Sequence, residues 1–213
     1  MGAPSPADED PLPPHGFYPV SLNLVGRRCV VIGAATDREA IEKAAALRDV
    51  DADVRWITDP QALRDEDVAG AFFVISTPHD DALSARLRAL ADRYKFLLCT
   101  IDQPRYGFVA MQAIVSAGPV RIGISTGGVA PRVGKILKES LQRVLDAKFV
   151  RFIETLAAQR RRNRTLLAGD LEARRQAASA SADGFMLEAR IAYPAWFDDE
   201  LAAPELQSKG TDR

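Results

Sequence analysis

The stretch Cys29-Val30-Val31-Ile32-Gly33-Ala34-Ala35-Thr36-Asp37-Arg38-Glu39 sets the terms for the rest of the chain. Its apolar run, stopped by a glycine, reads as a short strand buried on both faces, as in a parallel sheet. Ala40, Ile41, Ala44, Ala45 and Leu47 then recur at helical spacing between Asp37 and Val50. Residues 53–58 (DVRWIT) alternate as a second strand, and residues 71–76 (AFFVIS) form a third. A helix over 80–94 follows, with Leu83, Leu87, Leu90 and Ala91 on one face. Residues 96–101 (FLLCTI) make a fourth strand, halted by Asp102-Gln103-Pro104. Strands alternating with helices of this length mean right-handed βαβ units and a parallel sheet. The expected class is α/β, a Rossmann-like domain with ligands at the carboxyl ends of its strands.

After Pro104 the pattern changes. Residues 111–116 and 120–125 (VRIGIS) read as two strands joined by Ala117-Gly118-Pro119, too short for a crossover helix, so the pair is expected to be antiparallel. From Pro131 to about Arg162 an amphipathic pattern predicts one long helix, with Val133, Ile136, Leu137, Leu141, Val144, Leu145, Phe149, Phe152, Ile153 and Leu156 on its apolar stripe. Such a stripe must be covered, which points to a homodimer. The expected organisation is a disordered tail over 1–16, a Rossmann-like nucleotide-binding domain over 17–112, a small α+β dimerisation domain over 113–148 and a helical C-terminal region over 149–213. Its last residues, 206–213, are expected to fray.

Composition narrows the function classes. Among 213 residues, Lys+Arg 28 against Asp+Glu 29 gives a formal charge of -1, which disfavours a nucleic-acid binder. Hydrophobic residues at 47% and charged residues at 27% describe an ordinary globular protein. The 2 cysteines, Cys29 and Cys99, lie far apart in apolar runs, which fits a reducing compartment and no disulfide framework. With only 2 histidines, a His-rich metal site is not expected. The apolar runs are too short to span a bilayer and residues 1–16 lack a signal-peptide core, so the reading is cytoplasmic and without a membrane partner.

Several residue groups could carry chemistry. A dinucleotide site needs glycines after the first strand, where backbone approaches a pyrophosphate above a helix N-terminus. The turn here has one glycine, Gly33. Thr36 and Glu39 stand at capping-box spacing, so the helix could cap itself, and Asp37 and Glu39 oppose a pyrophosphate's charge. Asp59 follows the second strand, where it could accept from an adenosine ribose or simply begin an Asp-Pro turn. Asp102 follows the fourth strand, where it could take up protons or only initiate a turn. Ser125-Thr126-Gly127-Gly128 offers two hydroxyls and two residues that let a bulky ligand approach the backbone, or a strand-ending turn. Lys148, Arg151, Arg160, Arg161, Arg162, Arg164, Arg174 and Arg175 form a late basic cluster whose guanidinium groups suit a polycarboxylate or phosphate, although a solvated helical face is the commoner meaning. His79 reads as a helix-start residue.

Tyr18-Pro19-Val20 and the run Leu22 to Arg28, leading into Val30–Gly33, resemble the opening of the siroheme synthase N-terminal module. The resemblance continues through residues 68–75 (VAGAFFVI), Asp102-Gln103-Pro104, Ala113-Ile114-Val115 and residues 118–131 (GPVRIGISTGGVAP). The family comprises precorrin-2 dehydrogenases, many of which double as sirohydrochlorin ferrochelatases. It implies an NAD-binding Rossmann domain, an interdigitated dimerisation domain and tetrapyrrole bound in a cleft. Its catalytic aspartate falls on Asp102, and its tetrapyrrole-side turn falls on Ser125, Thr126, Gly127 and Gly128. The implied cofactor edge comprises Gly33, Ala34, Ala35, Thr36, Asp37, Asp59 and Thr77, and Fe2+ or Co2+ enters as a substrate; no resident metal site is implied. Three departures stand near the cofactor edge. Gly33-Ala34-Ala35 replaces three glycines, Cys99 replaces an asparagine, and Pro78-His79 replaces a threonine-aspartate pair. They oppose NAD+ binding and leave Asp102 in place.

Overall fold

Strands β1 (Arg28–Ile32), β2 (Asp53–Ile57), β3 (Phe73–Ser76) and β4 (Leu97–Thr100) pair in parallel in the order β2-β1-β3-β4. The computed structural model describes residues 17–197, so the tail expected over 1–16 and the fraying expected over 206–213 lie outside the described residues. Helices α1 (Arg38–Arg48), α2 (Asp65–Val68) and α3 (Asp81–Tyr94) connect the strands. The alternation of β1 explains its unbroken apolar run. Cys29 and Val31 pack with Ala40, Ala44 and Leu47 of α1, while Val30 and Ile32 pack with Leu83, Leu87 and Leu90 of α3. Both faces are thus covered by helices, and each large aliphatic side chain so buried contributes roughly 1.5–3 kcal/mol. The third strand begins at Phe73 rather than Ala71, because the Ala71 N–H donates to the Val68 carbonyl (3.1 Å) in the turn after α2.

One buried charge ties this layer together. The Asp67 carboxylate accepts from the Arg64 N–H (2.9 Å) and pairs with Arg55 at 2.6 Å. The Arg64 N–H, then its guanidinium and that of Arg55, hold the Asp67 carboxyl below the usual carboxylate range.

Strands β5 (Ala113–Ala117) and β6 (Val120–Ile124) form an antiparallel hairpin around Gly118, whose φ of 56° suits glycine. Helix α4 (Pro131–Val144) packs on it. Its Gln142 side chain donates to the Ser116 carbonyl (2.8 Å) and accepts from the Ser116 N–H (3.1 Å), serving the strand's free edge. The single long helix expected from Pro131 to about Arg162 is instead two, α4 and α5 (Ala147–Leu166). Leu145 leaves the helix to join Val115 and Ala117 in a third core cluster, and the Asp146 carboxylate accepts the Phe149 N–H (2.9 Å). An aspartate N-cap restarts the helix where the apolar periodicity runs through unbroken.

The chain divides at Arg151–Phe152 into two compact units. The second contains most of α5 and helix α6 (Leu171–Ala182), the latter capped by the Asp170 carboxylate on the Ala173 N–H (2.8 Å). Among the described residues, neither α5 nor α6 buries a side chain fully. No helix of the described residues is long and apolar enough to cross a membrane.

Candidate functional site

The sheet's hydrogen-bond ladder runs one residue past the strands at their carboxyl edge. The Gly33 N–H donates to the Ile57 carbonyl (3.1 Å), the Thr77 N–H to Ile32 (3.0 Å) and the Ile101 N–H to Ser76 (2.9 Å). The residues that follow β2, β1, β3 and β4, namely Asp59, Gly33, Thr77 and Asp102, therefore stand along one edge in that order. Because α1 and α3 leave on opposite faces, the strand order reverses between β1 and β3, and a crevice opens there between Gly33 and Thr77.

That crevice is filled from within. Asp37 caps α1 in place of the expected Thr36: its carboxylate accepts the Glu39 N–H (2.9 Å) and, on its other oxygen, the Thr77 hydroxyl. The Thr77 hydroxyl and the N–H groups of Glu39 and Ala40 hold the Asp37 carboxyl below its ordinary range, so it is ionised at neutral pH. Gly33 is buried beneath the pair. A Cβ there would meet the Thr77 Oγ1 and come within 2.8 Å of the Ala40 Cβ, and the Gly33 carbonyl accepts the Trp56 indole N–H at 2.9 Å. Ala34, Ala35 and Thr36 are exposed around this closed turn.

A dinucleotide fits this edge at one end only. Asp59 spends one carboxylate oxygen on the Gln61 N–H (3.0 Å), capping the turn Pro60–Ala62. It borders an open cavity of about 370 Å³ with Trp56, Ile57 and Thr58, room for an adenosine. At the first turn of α1, however, the donors a pyrophosphate would use are taken by a carboxylate that repels it. As they stand, these residues do not fit the pyrophosphate.

Asp102 is arranged differently. Its φ of 57° places a non-glycine residue in the left-handed region, a conformation that costs of order 1–3 kcal/mol and that aspartate tolerates better than most. The turn is anchored on either side of it. The Thr100 hydroxyl donates to the Gln103 carbonyl (2.6 Å), and the buried Gln103 side chain accepts from the Ser84 hydroxyl (2.6 Å) and donates to Asp81. Asp81 also pairs with Arg105 at 2.8 Å. Asp102 itself is exposed, and its carboxylate makes no hydrogen bond or ion pair among the described residues. This supporting set went unread in the sequence. The one available signal was Ser84, a hydroxyl on the apolar face of α3.

In the turn between β6 and α4, Gly127 and Gly128 take φ of 61° and 82°, and nothing lies within 4 Å of where a Cβ on Gly128 would stand. The Gly127 N–H donates to Ser125 Oγ (3.2 Å), and Thr126 Cγ2 is 3.5 Å from a Cβ built on Gly134 in α4. The turn is thus open and held against α4. Among the described residues, no hydrogen bond or ion pair joins it to the sheet edge. Cys29 and Cys99 are buried, and burial pushes the Cys99 thiol up to about 11, which leaves it protonated and unreactive.

Residues 20–113 match a family of putative NAD(P)-binding domains. The chain is 28% identical over 177 residues to a siroheme synthase of Nitrosococcus oceani, covering 75% of this chain and 37% of that protein. It is 28% identical over 109 residues to a precorrin-2 dehydrogenase of Bacillus subtilis, covering 51% of this chain and 65% of that one. The solved structure of SirC, a precorrin-2 dehydrogenase, superposes with a TM-score of 0.62 at 20% identity, over 79% of this chain and 90% of that chain. The parallel sheet, hairpin and helical region expected above are therefore a shared fold. The chain spans little more than a third of the length of the siroheme synthase it matches.

Proposed function

We propose that this chain is a member of the siroheme synthase N-terminal module family and acts on a tetrapyrrole in siroheme biosynthesis with Asp102 as its proton acceptor. The observation that carries this is the state of Asp102: an exposed, unpartnered carboxylate in the left-handed region at the carboxyl end of β4, on a turn anchored by Gln103. Insertion of Fe2+ or Co2+ into sirohydrochlorin replaces two pyrrole protons by the ion. A carboxylate free of internal partners accepts each proton and, being exposed, passes it to water. Ser125 and Thr126 supply hydroxyls near the macrocycle, and Gly127-Gly128 lets its plane approach the backbone.

Oxidation of precorrin-2 to sirohydrochlorin by NAD+ is the second reading. The match of residues 20–113 to NAD(P)-binding domains and the cavity beside Asp59 favour it. Asp37 stands against it. The test is an anaerobic absorbance assay on precorrin-2 with and without NAD+, repeated on sirohydrochlorin with Fe2+ or Co2+. Metal insertion without NAD+-dependent oxidation supports the chelatase reading. NAD+-dependent conversion supports the second reading, and tetrapyrrole binding with neither activity removes both.

The hairpin and α4, within residues 113–148, are assigned as the dimerisation domain, because Val129, Val133, Ile136 and Val144 leave an apolar face on α4 and the turn before it. Light scattering is expected to report twice the mass of one chain. A monomer mass at micromolar concentration overturns the assignment.

A further inference from the structure

At two places on the sheet's carboxyl edge an aspartate precedes a three-residue helical turn opened by proline. In Asp59-Pro60-Gln61-Ala62 the aspartate stands directly before the proline. It takes the N-cap position and spends a carboxylate oxygen on the Gln61 N–H (3.0 Å). In Asp102-Gln103-Pro104-Arg105-Tyr106 one residue is interposed, and the N-cap position falls to Gln103, whose side chain caps nothing. That side chain is buried, accepts the Ser84 hydroxyl (2.6 Å) and donates to Asp81, the first residue of α3. The Gln103 carbonyl takes the Thr100 hydroxyl (2.6 Å). Of the five polar or charged side chains buried among the described residues, Ser84, Thr100 and Gln103 all serve this one turn. Asp102 is also one of three non-glycine residues at positive φ among the described residues. The other two, Asp51 and Lys95, follow α1 and α3, where a left-handed residue commonly closes a helix; Asp102 follows a strand.

We propose that Gln103 is a positioning residue: by taking the cap position and locking its amide onto α3, it holds Asp102 left-handed and keeps its carboxylate out of the capping role that occupies Asp59. A left-handed aspartate persists only where its surroundings over-determine it, and the hold of Ser84, Asp81 and Thr100 on Gln103 does so. That the carboxylate so held accepts protons from a macrocycle rests on the reading above; that Gln103 holds it does not.

Urea unfolding reads the conformation. At positive φ glycine is favoured over alanine, whereas in a relaxed turn alanine is favoured through the entropy of the unfolded chain. Asp102→Gly is therefore expected to unfold at higher urea than Asp102→Ala in the otherwise wild-type chain, and the order is expected to reverse when Gln103→Leu is added. The same order in both backgrounds overturns the inference. Absorbance with sirohydrochlorin and Co2+ reads the consequence. Gln103→Leu is expected to slow metal insertion by roughly 10–10²-fold, the scale of a misplaced group, with sirohydrochlorin affinity kept within about twofold. Asp81→Ala is expected to slow it in the same way, and Asp81→Asn, which still accepts from the Gln103 amide, to restore it; Asp80 caps α3 in both. An unchanged rate in folded Gln103→Leu, a loss of affinity as large as the loss of rate, or equal rates in Asp81→Ala and Asp81→Asn overturns the positioning role. Where circular dichroism shows that Gln103→Leu does not fold, Ser84→Ala/Asp81→Ala removes both side-chain partners of Gln103 and carries the same comparisons. A wild type that inserts no metal overturns the reading above, and the urea order alone then decides whether Gln103 holds the turn.

Discussion

The turn after β1 and the turn after β4 lie on one sheet edge with the end of β3 between them, and each presents an aspartate. Asp37 finds two donors, the Glu39 N–H and the Thr77 hydroxyl, and becomes part of the packing over Gly33. Asp102 finds none, although Gln103 beside it is fully engaged. The same side chain is a structural cap in one place and, among the described residues, an exposed carboxylate without a partner in the other. What decides is whether the fold supplies donors, and here it supplies them at the crevice where a dinucleotide would need them.

The sharpest way to break this contrast is Asp102→Asn, which keeps the size and the tolerance for a left-handed backbone. Metal insertion is expected to fall by roughly 10²–10⁴-fold, the range for a positioned acid or base. Urea unfolding should change by no more than about 1 kcal/mol. An unchanged rate in a folded variant would make Asp102 as structural as Asp37. Next comes Gly33→Ala. Its methyl group must displace the Thr77 hydroxyl or push Ala40, so unfolding should become easier by about 1–3 kcal/mol. A wild-type urea midpoint would show that the crevice is open rather than packed.

Asp37→Asn sharpens the same point from the ligand side. The amide oxygen still caps α1, but the charge is gone. NAD+ affinity, expected near millimolar in the wild type, should tighten by about tenfold, or about 1.4 kcal/mol. Calorimetry giving a low-micromolar dissociation constant for the wild type would remove the conflict between Asp37 and the cofactor. The smallest effect is the pH dependence. The folded-state pKa of Asp37 lies below its ordinary 3.8, so its contribution to stability is complete above the unfolded-state value and is lost as pH falls through the folded value. Asp67 adds a slope of the same sign. The difference between wild type and Asp37→Asn, measured by urea unfolding from neutral pH downward, should therefore shrink only in the acid range below about pH 4. A difference that is constant through that range would mean that the carboxylate is not engaged as described.

The parallel sheet was legible because Val30–Ile32 and their counterparts are short apolar runs between glycine, aspartate and proline stops. Asp102 was legible as a residue at a strand's carboxyl edge, but its left-handed backbone was not, since that depends on Gln103 reaching Ser84 and Asp81 on α3. Thr36 and Glu39 had the right spacing for a capping box. Asp37 prevailed because Thr77, forty positions away, gave its carboxylate a second partner. The break at Leu145 was hidden for the opposite reason: Leu145 keeps the helical period and yet is recruited by Val115 across the hairpin. The arginines of α5 and α6 were legible as candidates for an anionic ligand, but the groove that Arg160, Arg164, Arg174 and Arg175 share was not, because periodicity describes one helix at a time.

The indole of Trp56 is bonded to the Gly33 carbonyl, directly behind the turn that Asp37 closes. Indole emission is sensitive to the loss of a hydrogen bond and to the arrival of water. The chain thus carries a native fluorophore at the crevice, and the described residues hold only one other tryptophan, Trp196, in the second unit. With Trp196→Phe as background, the emission of Trp56 reads out directly whether a nucleotide opens the turn, without a label and without turnover.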